Sequence, residues 1–410
     1  MNRKVLLIEP NYKNKYPPMG LMKLATYYRT VGDDVRFYKG DMRSFAVELI
    51  CDDLINHLSI IFPEVFWKDY YPTLFNFIKI GKYAILEEIE DPIFQDEAVL
   101  DAIKAYRKKY KDKEYFTNPR FDKVGITTLF TFYWDITIDT INFAKQLCKK
   151  PEDVMIGGIM SSLLPTEVYE ATGIEPFVGL LNHPGDIDEG NNLIIDELPL
   201  DYSILEEIDY VYPANNAYFA YMTRGCVNKC KFCAVPKLEP QYCDYINLRQ
   251  RIQHTDERFG ARKDLLLLDN NVLASKYYNQ IINEIRDCGF GVGATYTPPN
   301  EYEIMINNLK DSYNDRAYIR KAISIYREIM AKLKDSAEKT ELYLALETAH
   351  CLYYYTASKE DILGLDEYVR PLYEKTHKPS KRKRIVDFNQ GIDSRLITEA
   401  NMKKLSEVNI

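Results

Sequence analysis

The chain has 410 residues, 46% hydrophobic and 13% aromatic, which is ample for two or three packed domains. Its net charge of −8 excludes a global basic field that would recruit nucleic acid or an anionic membrane. No run of about eighteen apolar residues appears, and the start, MNRKVLLIEPNY, reads as a strand rather than a signal peptide. The expectation is a soluble cytoplasmic protein with no membrane partner.

In chain order, residues 1–185 read as an α/β unit with an insertion. KVLLIEPN (4–11) is an apolar run closed by Pro and Asn, as in a buried parallel strand and its exit turn. MGLMKLATYYRTVG (19–32) has helical spacing and a closing Gly32, and DVRFYKGD (34–41) makes a second strand. From about Met42 to Arg120 the pattern is helical and charged, an inserted helical segment. The rhythm resumes with the strand KVGITTLF (123–130), the helix WDITIDTINFAKQLCKK (134–150) and the strand DVMIGGIM (153–160). A short helix and a further apolar run, EPFVGLL (175–181), follow. This alternation predicts a doubly wound, Rossmann- or flavodoxin-like parallel sheet, with ligands beyond the strands' carboxyl ends.

Residues 186–216 open on the acidic, irregular DIDEGNNLIIDELPLDYS and read as a linker. A second α/β series spans 217–410. AYFAYMT (217–223) is a strand running into a cysteine loop, and KDLLLLDNN (263–271) is the next strand. A helix over 275–289 follows, then a helical insertion over about 300–380. KRIVDFNQGIDSRL (383–396) restores a strand and TEANMKKLSEV (398–408) a helix. About three strand–helix units are too few to close a parallel barrel. The expectation is a truncated barrel in a chain that is a piece of a longer protein, or else an open partial barrel, with the first reading preferred.

The loop TRGCVNKCKFCAVP (223–236) carries Cys226, Cys230 and Cys233 at C-x3-C-x2-C spacing. Three thiolates can hold three irons of a cubic 4Fe-4S cluster, which normally takes four cysteines, so one iron is left for another ligand. At the carboxyl end of a first parallel strand, that iron lies over a ligand-binding face. Lys229 and Lys231 offset some of the cluster's negative charge. The alternative is structural zinc, with Cys243 or a distant histidine as fourth ligand. Zinc sites usually pair two C-x2-C knuckles or add a spaced histidine pair. The histidines here, His57, His183, His254, His350 and His377, are not spaced as pairs. Cys51, Cys148, Cys288 and Cys351 are scattered singly and read as small buried side chains.

CVNKCKFC, with Phe232 before the last cysteine, resembles the cluster loop of radical S-adenosylmethionine (SAM) enzymes. The resemblance implies that SAM's amino and carboxylate groups chelate the open iron and that Phe232 lies beside the adenine. It further implies a reductant such as flavodoxin or ferredoxin, whose electron cleaves SAM to methionine and a 5′-deoxyadenosyl radical. That radical abstracts hydrogen from the substrate, leading to methylation, methylthiolation or rearrangement, with no catalytic base to name. LLLLDNNVLAS resembles the family's second barrel strand, which makes Asp269, Asn270 and Asn271 candidates to face SAM or substrate. A turn or helix cap accounts for the same residues. DFNQGIDSRL resembles the third strand, placing Asn389, Gln390, Asp393 and Arg395 on that face. Arg395 could meet SAM's carboxylate through a bidentate pair, or form a structural salt bridge. The family's glycine-rich segment and later-strand contacts have no counterpart in this sequence.

PPMGLMKLATYYRTVGDDVRFYKGD and VMIGGIMSS resemble the cobalamin-binding-type domain ahead of many radical SAM barrels, over about 3–41 and 121–185. Cobalamin is thereby an open cofactor, and cobalamin-dependent radical methyl transfer an alternative activity. Gly157 and Gly158 would let a backbone approach a flat ring, or simply make a tight turn. Phe130, Phe132, Tyr133 and Trp134 could floor a corrin or fill the pocket. Asp-x-His-x-x-Gly, which would ligate cobalt from below, is absent from the sequence. From another class, the rival is a non-catalytic iron–sulfur or zinc module. HKPSKRKR (377–384) could contact phosphates of RNA or a nucleotide, but reads sooner as a solvated loop entering a strand.

Overall fold

In a computed structural model of the chain, residues 2–351, 357–389 and 393–410 are described. Strands β1 (Lys4–Glu9), β2 (Asp34–Lys39), β3 (Lys123–Thr128) and β4 (Val154–Gly158) form a parallel sheet in the order β2-β1-β3-β4. Central β1 serves two cores at once, because successive strand side chains point to opposite faces. Leu6 and Ile8 join Ile141 and Ala144 of the helix Trp134–Ala144, while Val5 and Leu7 join Leu21, Leu24 and Ala25 of the helix Met19–Thr30. Burial on both faces explains the unbroken apolar run VLLI.

The helical segment after β2 builds onto the first of these cores. Leu54 of Met42–Ile61, Leu74 of Tyr71–Ile80 and Ile103 of Glu97–Lys111 belong to one core with Leu6, Ile126 and Trp67. The apolar run Glu175–Leu181 differs from expectation: it is not a strand of this sheet. Phe177 N–H donates to Ile156 O (2.8 Å), but Gly179 takes φ +91°, which turns the chain away from an extended ladder.

Residues 186–216, expected to be a linker, form a strap over the molecule. Ile195, Tyr202 and Ile204 are buried in one core with Leu21, Ala217 and Phe219. Its acidic residues are anchored: Asp188 to Arg3 (2.7 Å), Asp201 to Arg29 (3.0 Å), and Glu207 to Arg29 (3.2 Å).

The remaining strands are β5 (Ala217–Ala220), β6 (Asp264–Leu267), β7 (Thr295–Tyr296), β8 (Arg382–Lys383) and β9 (Val386–Phe388). β5, β6 and β9 form a parallel sheet in the order β5-β6-β9, and β7 pairs antiparallel with β8. Helices Glu301–Lys310, Asp315–Lys332, Ser336–Thr348 and Asp366–Thr376 form a body with its own core, including Tyr302, Ile306, Ile323 and Leu346. Among the described residues, no helix is long and apolar enough to cross a membrane.

Contacts join the carboxyl ends of the two parallel sheets. Tyr16, in the exit loop of β1, donates its hydroxyl to Asn389 just after β9, and Lys15 lies 3.9 Å from Asp387. Lys237, beyond the cysteine loop, donates to Leu163 O (2.6 Å) beyond β4.

Candidate functional site

The cysteine loop grows out of β5. Asp269, at the exit of neighbouring β6, is buried and accepts from Met222 N (3.0 Å), from Thr223 N and from Thr223 Oγ1 (2.7 Å). Both of its oxygens reach loop backbone, which fixes where the loop begins. Burial pushes the Asp269 carboxyl up to about 6, against the Thr223 hydroxyl and the amide donors.

A second carboxylate closes the neck of the loop. Arg224 and Cys243 exchange backbone hydrogen bonds (3.1 and 2.9 Å), and the Arg224 guanidinium donates to Glu239 (2.5 Å). The other Glu239 oxygen accepts from Gly225 N (2.9 Å) and from Asn270 Nδ2 (2.9 Å). Gly225 adopts φ +69°, and a Cβ there would lie 2.4 Å from Gln241 O, so the neck demands glycine.

The three cysteines ride on this closed loop. Cys226 and Cys230 are half-buried and Cys233 is exposed. Asn228 N–H donates to Cys226 Sγ at 3.4 Å, the kind of backbone donor that stabilises a ligating sulfur. Phe232 is 93% exposed. Among the described residues, no three His, Cys, Asp or Glu side chains gather around a point where one metal ion would sit. Three cysteine thiols on one loop are the donor type that a 4Fe-4S cluster takes, and in that respect the donor set fits such a cluster. Cys243 is exposed and its thiol donates to Tyr245 O at 3.4 Å.

Beside the loop, three strand exits meet at Asp393. It accepts from Asn228 after β5 (2.9 Å), Asn271 after β6 (3.4 Å) and Arg395 after β9, the last through two bonds of 2.9 and 2.8 Å. The Arg395 guanidinium holds the Asp393 carboxyl well below the usual carboxylate range. Asn271 is 1% exposed, and among the described residues its Oδ1 has no hydrogen-bond partner. The predicted Asn271 and Arg395 are thus brought together, Asp269 lies beneath the loop, and Gln390 lies outside the described residues. Asn228, Glu239 and Tyr16 were not singled out by sequence reasoning. Asn228 carried a signal in its place between two cysteines and Tyr16 in its place beyond a strand's carboxyl end; Glu239 carried none.

At the first sheet, a Cβ on Gly158 (φ +113°) would lie 2.3 Å from Thr128 O, so its glycine serves the turn, while Gly157 faces open space. Phe132 is 74% exposed and stacks on Phe130 at 5.3 Å. Tyr133 packs on Tyr12 (4.6 Å) and Trp134 on the first core. In HKPSKRKR, Arg384 turns inward, donating to Lys263 O (3.0 Å) and Arg262 O (2.7 Å).

No family model matches the sequence, and no curated protein matches it either. Among solved structures it is similar to two of TsrM, a radical S-adenosylmethionine methyltransferase from Kitasatospora setae. One has cobalamin and a 4Fe-4S cluster bound: 15% identity, TM-score 0.37, covering 70% of this chain and 51% of that one. The other has tryptophan substrate and the SAM analogue aza-SAM bound: 16% identity, TM-score 0.36, covering 69% and 51%. The chain therefore spans about half the length of the solved proteins it matches.

Proposed function

We propose that this chain is a radical SAM enzyme whose Cys226, Cys230 and Cys233 hold a 4Fe-4S cluster. The observation that supports it is the loop itself: three cysteines, two half-buried and one exposed, on a loop anchored by Asp269 and Glu239, beside polar side chains from the next two strand exits. When bound, the cluster supplies an open iron for SAM and the electron that cleaves it to a 5′-deoxyadenosyl radical. In this reading Asn271 Oδ1 accepts a hydrogen bond from the ligand, which relieves a buried, unpartnered acceptor. Arg395 uses Nε and Nη2 on Asp393 and keeps donors for a carboxylate. Phe232 offers an exposed ring to the adenine, and Gln390 joins the set on its sequence position. An acidic or flavin-bearing redox protein of the flavodoxin or ferredoxin type would supply the electron.

Cobalamin-dependent methyl transfer is the second reading. It is favoured by the exposed Phe130–Phe132 pair beyond β3 and by the open space at Gly157 of the neighbouring β4. A corrin there would have no Asp-x-His-x-x-Gly histidine beneath it.

The test is anaerobic reconstitution with iron and sulfide, followed by electron paramagnetic resonance of the reduced protein with and without SAM. We expect a cluster whose signal changes shape with SAM, loss of the cluster in C226S, C230S and C233S, and retention in C243S. Zinc in place of iron, or a cluster indifferent to SAM, would sink the proposal. Corrinoid that copurifies with the protein would select the second reading.

A further inference from the structure

Asp196 sits where three parts of the molecule meet. It lies in the strap, and its carboxylate accepts from Lys23 Nζ (2.7 Å) on the helix Met19–Thr30 of the N-terminal unit. The same ammonium donates to the Asp196 carbonyl (2.5 Å). On its other side the carboxylate takes Arg224 Nη1 at 3.3 and 3.2 Å. Arg224 precedes Cys226 by two residues, and its Nε goes to Glu239, which holds the Gly225 amide. The ring of Tyr221 stacks against the guanidinium at 4.2 Å.

We infer that Asp196 is a positioning residue, linking the cysteine loop to the N-terminal unit through the chain Lys23–Asp196–Arg224–Glu239. The inference rests on the reading that this loop holds the cluster. Charge alternates along the chain, and Lys23, Asp196, Arg224 and Glu239 are 6, 23, 13 and 12% exposed, so solvent and salt screen it only in part. An arginine held by two carboxylates at fixed angles has one orientation, and Gly225 follows it through the shared Glu239. Without Asp196, Lys23 and Arg224 face each other as like charges. The sheet end would not move, because Met222 and Thr223 are held independently by Asp269. The effect of Asp196 is therefore on the loop.

Trypsin reads this directly in the full chain without iron, because Lys229 and Lys231 are exposed on the loop. Cleavage after them tracks the population of the open loop. We expect D196N and K23M each to speed that cleavage roughly three- to tenfold. The double variant should add nothing further, and D196E should restore the slow rate. D188N, which releases Arg3 and Tyr27 elsewhere on the strap, should leave the loop rate unchanged. Hydrogen exchange of β5 and β6 amides is followed in parallel, and a general loosening shows there as well. Unchanged cleavage in D196N overturns the inference. So does a rise in D196N without one in K23M, because the loop is then held from its own side alone. A rise matched by equal loosening of β5 and β6 also overturns it.

In the reconstituted protein, D196N should need several-fold more SAM to produce the paramagnetic change seen in wild type. If wild type takes up no cluster, the proposed function fails, while the trypsin rates still decide the link. If wild type responds to SAM and D196N matches it in both readouts, the link alone fails.

Discussion

A single buried carboxylate shows how the site depends on groups that touch no ligand. Asp269 lies under the cysteine loop with a carboxyl raised by burial from 3.8 to about 6. Between those values the native chain keeps a proton that the unfolded chain has released. Stability from this group is therefore present in acid and is lost as pH rises from about 4 through 6. The difference corresponds to about 3 kcal/mol against ionised Asp269 at neutral pH. D269N has no such titration, so the stability of wild type relative to D269N, from urea curves between pH 4 and 7, should fall by about that amount. A flat difference would mean that Asp269 ionises normally in the folded chain. The sequence marked DNN at a strand exit as ligand-facing or a turn. It could not show that the donors to Asp269 come from Met222 and Thr223, because only the parallel pairing of β5 with β6 sets them side by side. Cysteine spacing, by contrast, is local chemistry and was legible without the fold.

At the scale of elements, the two helical insertions look alike in sequence but pack in different ways. Helical periodicity reveals a buried face, not what covers it. The helices between Met42 and Lys111 share a core with β1 and β3, whereas those between Glu301 and Thr376 bury their apolar faces against one another. Equivalent truncations should therefore have different reach. Leu54→Ala and Leu342→Ala each remove a fully buried side chain and should each cost about 2–5 kcal/mol. We expect hydrogen exchange to show lost protection in β1 and β3 for L54A. For L342A the loss should stay within the helices from Glu301 to Thr376 and spare β5 and β6. Loss of protection in β5 and β6 with L342A would show that the helical body and the sheet form one cooperative unit. The same limit of periodicity explains Glu175–Leu181, whose apolar residues suggested a strand while the positive φ of Gly179 set its path.

Across the whole molecule, the strap decides how the two sheets are held. Its acidic, irregular composition suggested a linker, because composition shows charge but not partners. Each strap acid discussed here has its partner on an element distant in sequence: Asp188 on Arg3, Asp196 on Lys23 and Arg224, and Asp201 and Glu207 on Arg29. The last pair is the most deeply buried, with both carboxylates at 0% side-chain exposure around an arginine at 15%. Glu207 also takes the Phe37 amide of β2 (2.9 Å) and Asn314 Nδ2 (2.8 Å), so one carboxylate ties the first sheet to the second helical body. Removing Arg29 leaves buried Asp201 with no cation among the described residues and Glu207 with only Arg316 at 3.6 Å, and R29A should cost about 3–5 kcal/mol in urea unfolding. R29K should recover part of it, since an ammonium keeps the charge but loses the fork that meets two acids at once. Trp67 and Trp134 both report on the N-terminal unit, whereas far-ultraviolet circular dichroism reports on the whole chain. The two signals should coincide in wild type and separate in R29A, because the strap no longer makes the units unfold together. Molar salt should weaken wild type little, since a buried network is poorly screened. A large loss in salt with coincident signals in R29A would place the cohesion in surface charge and leave the strap a passive connection.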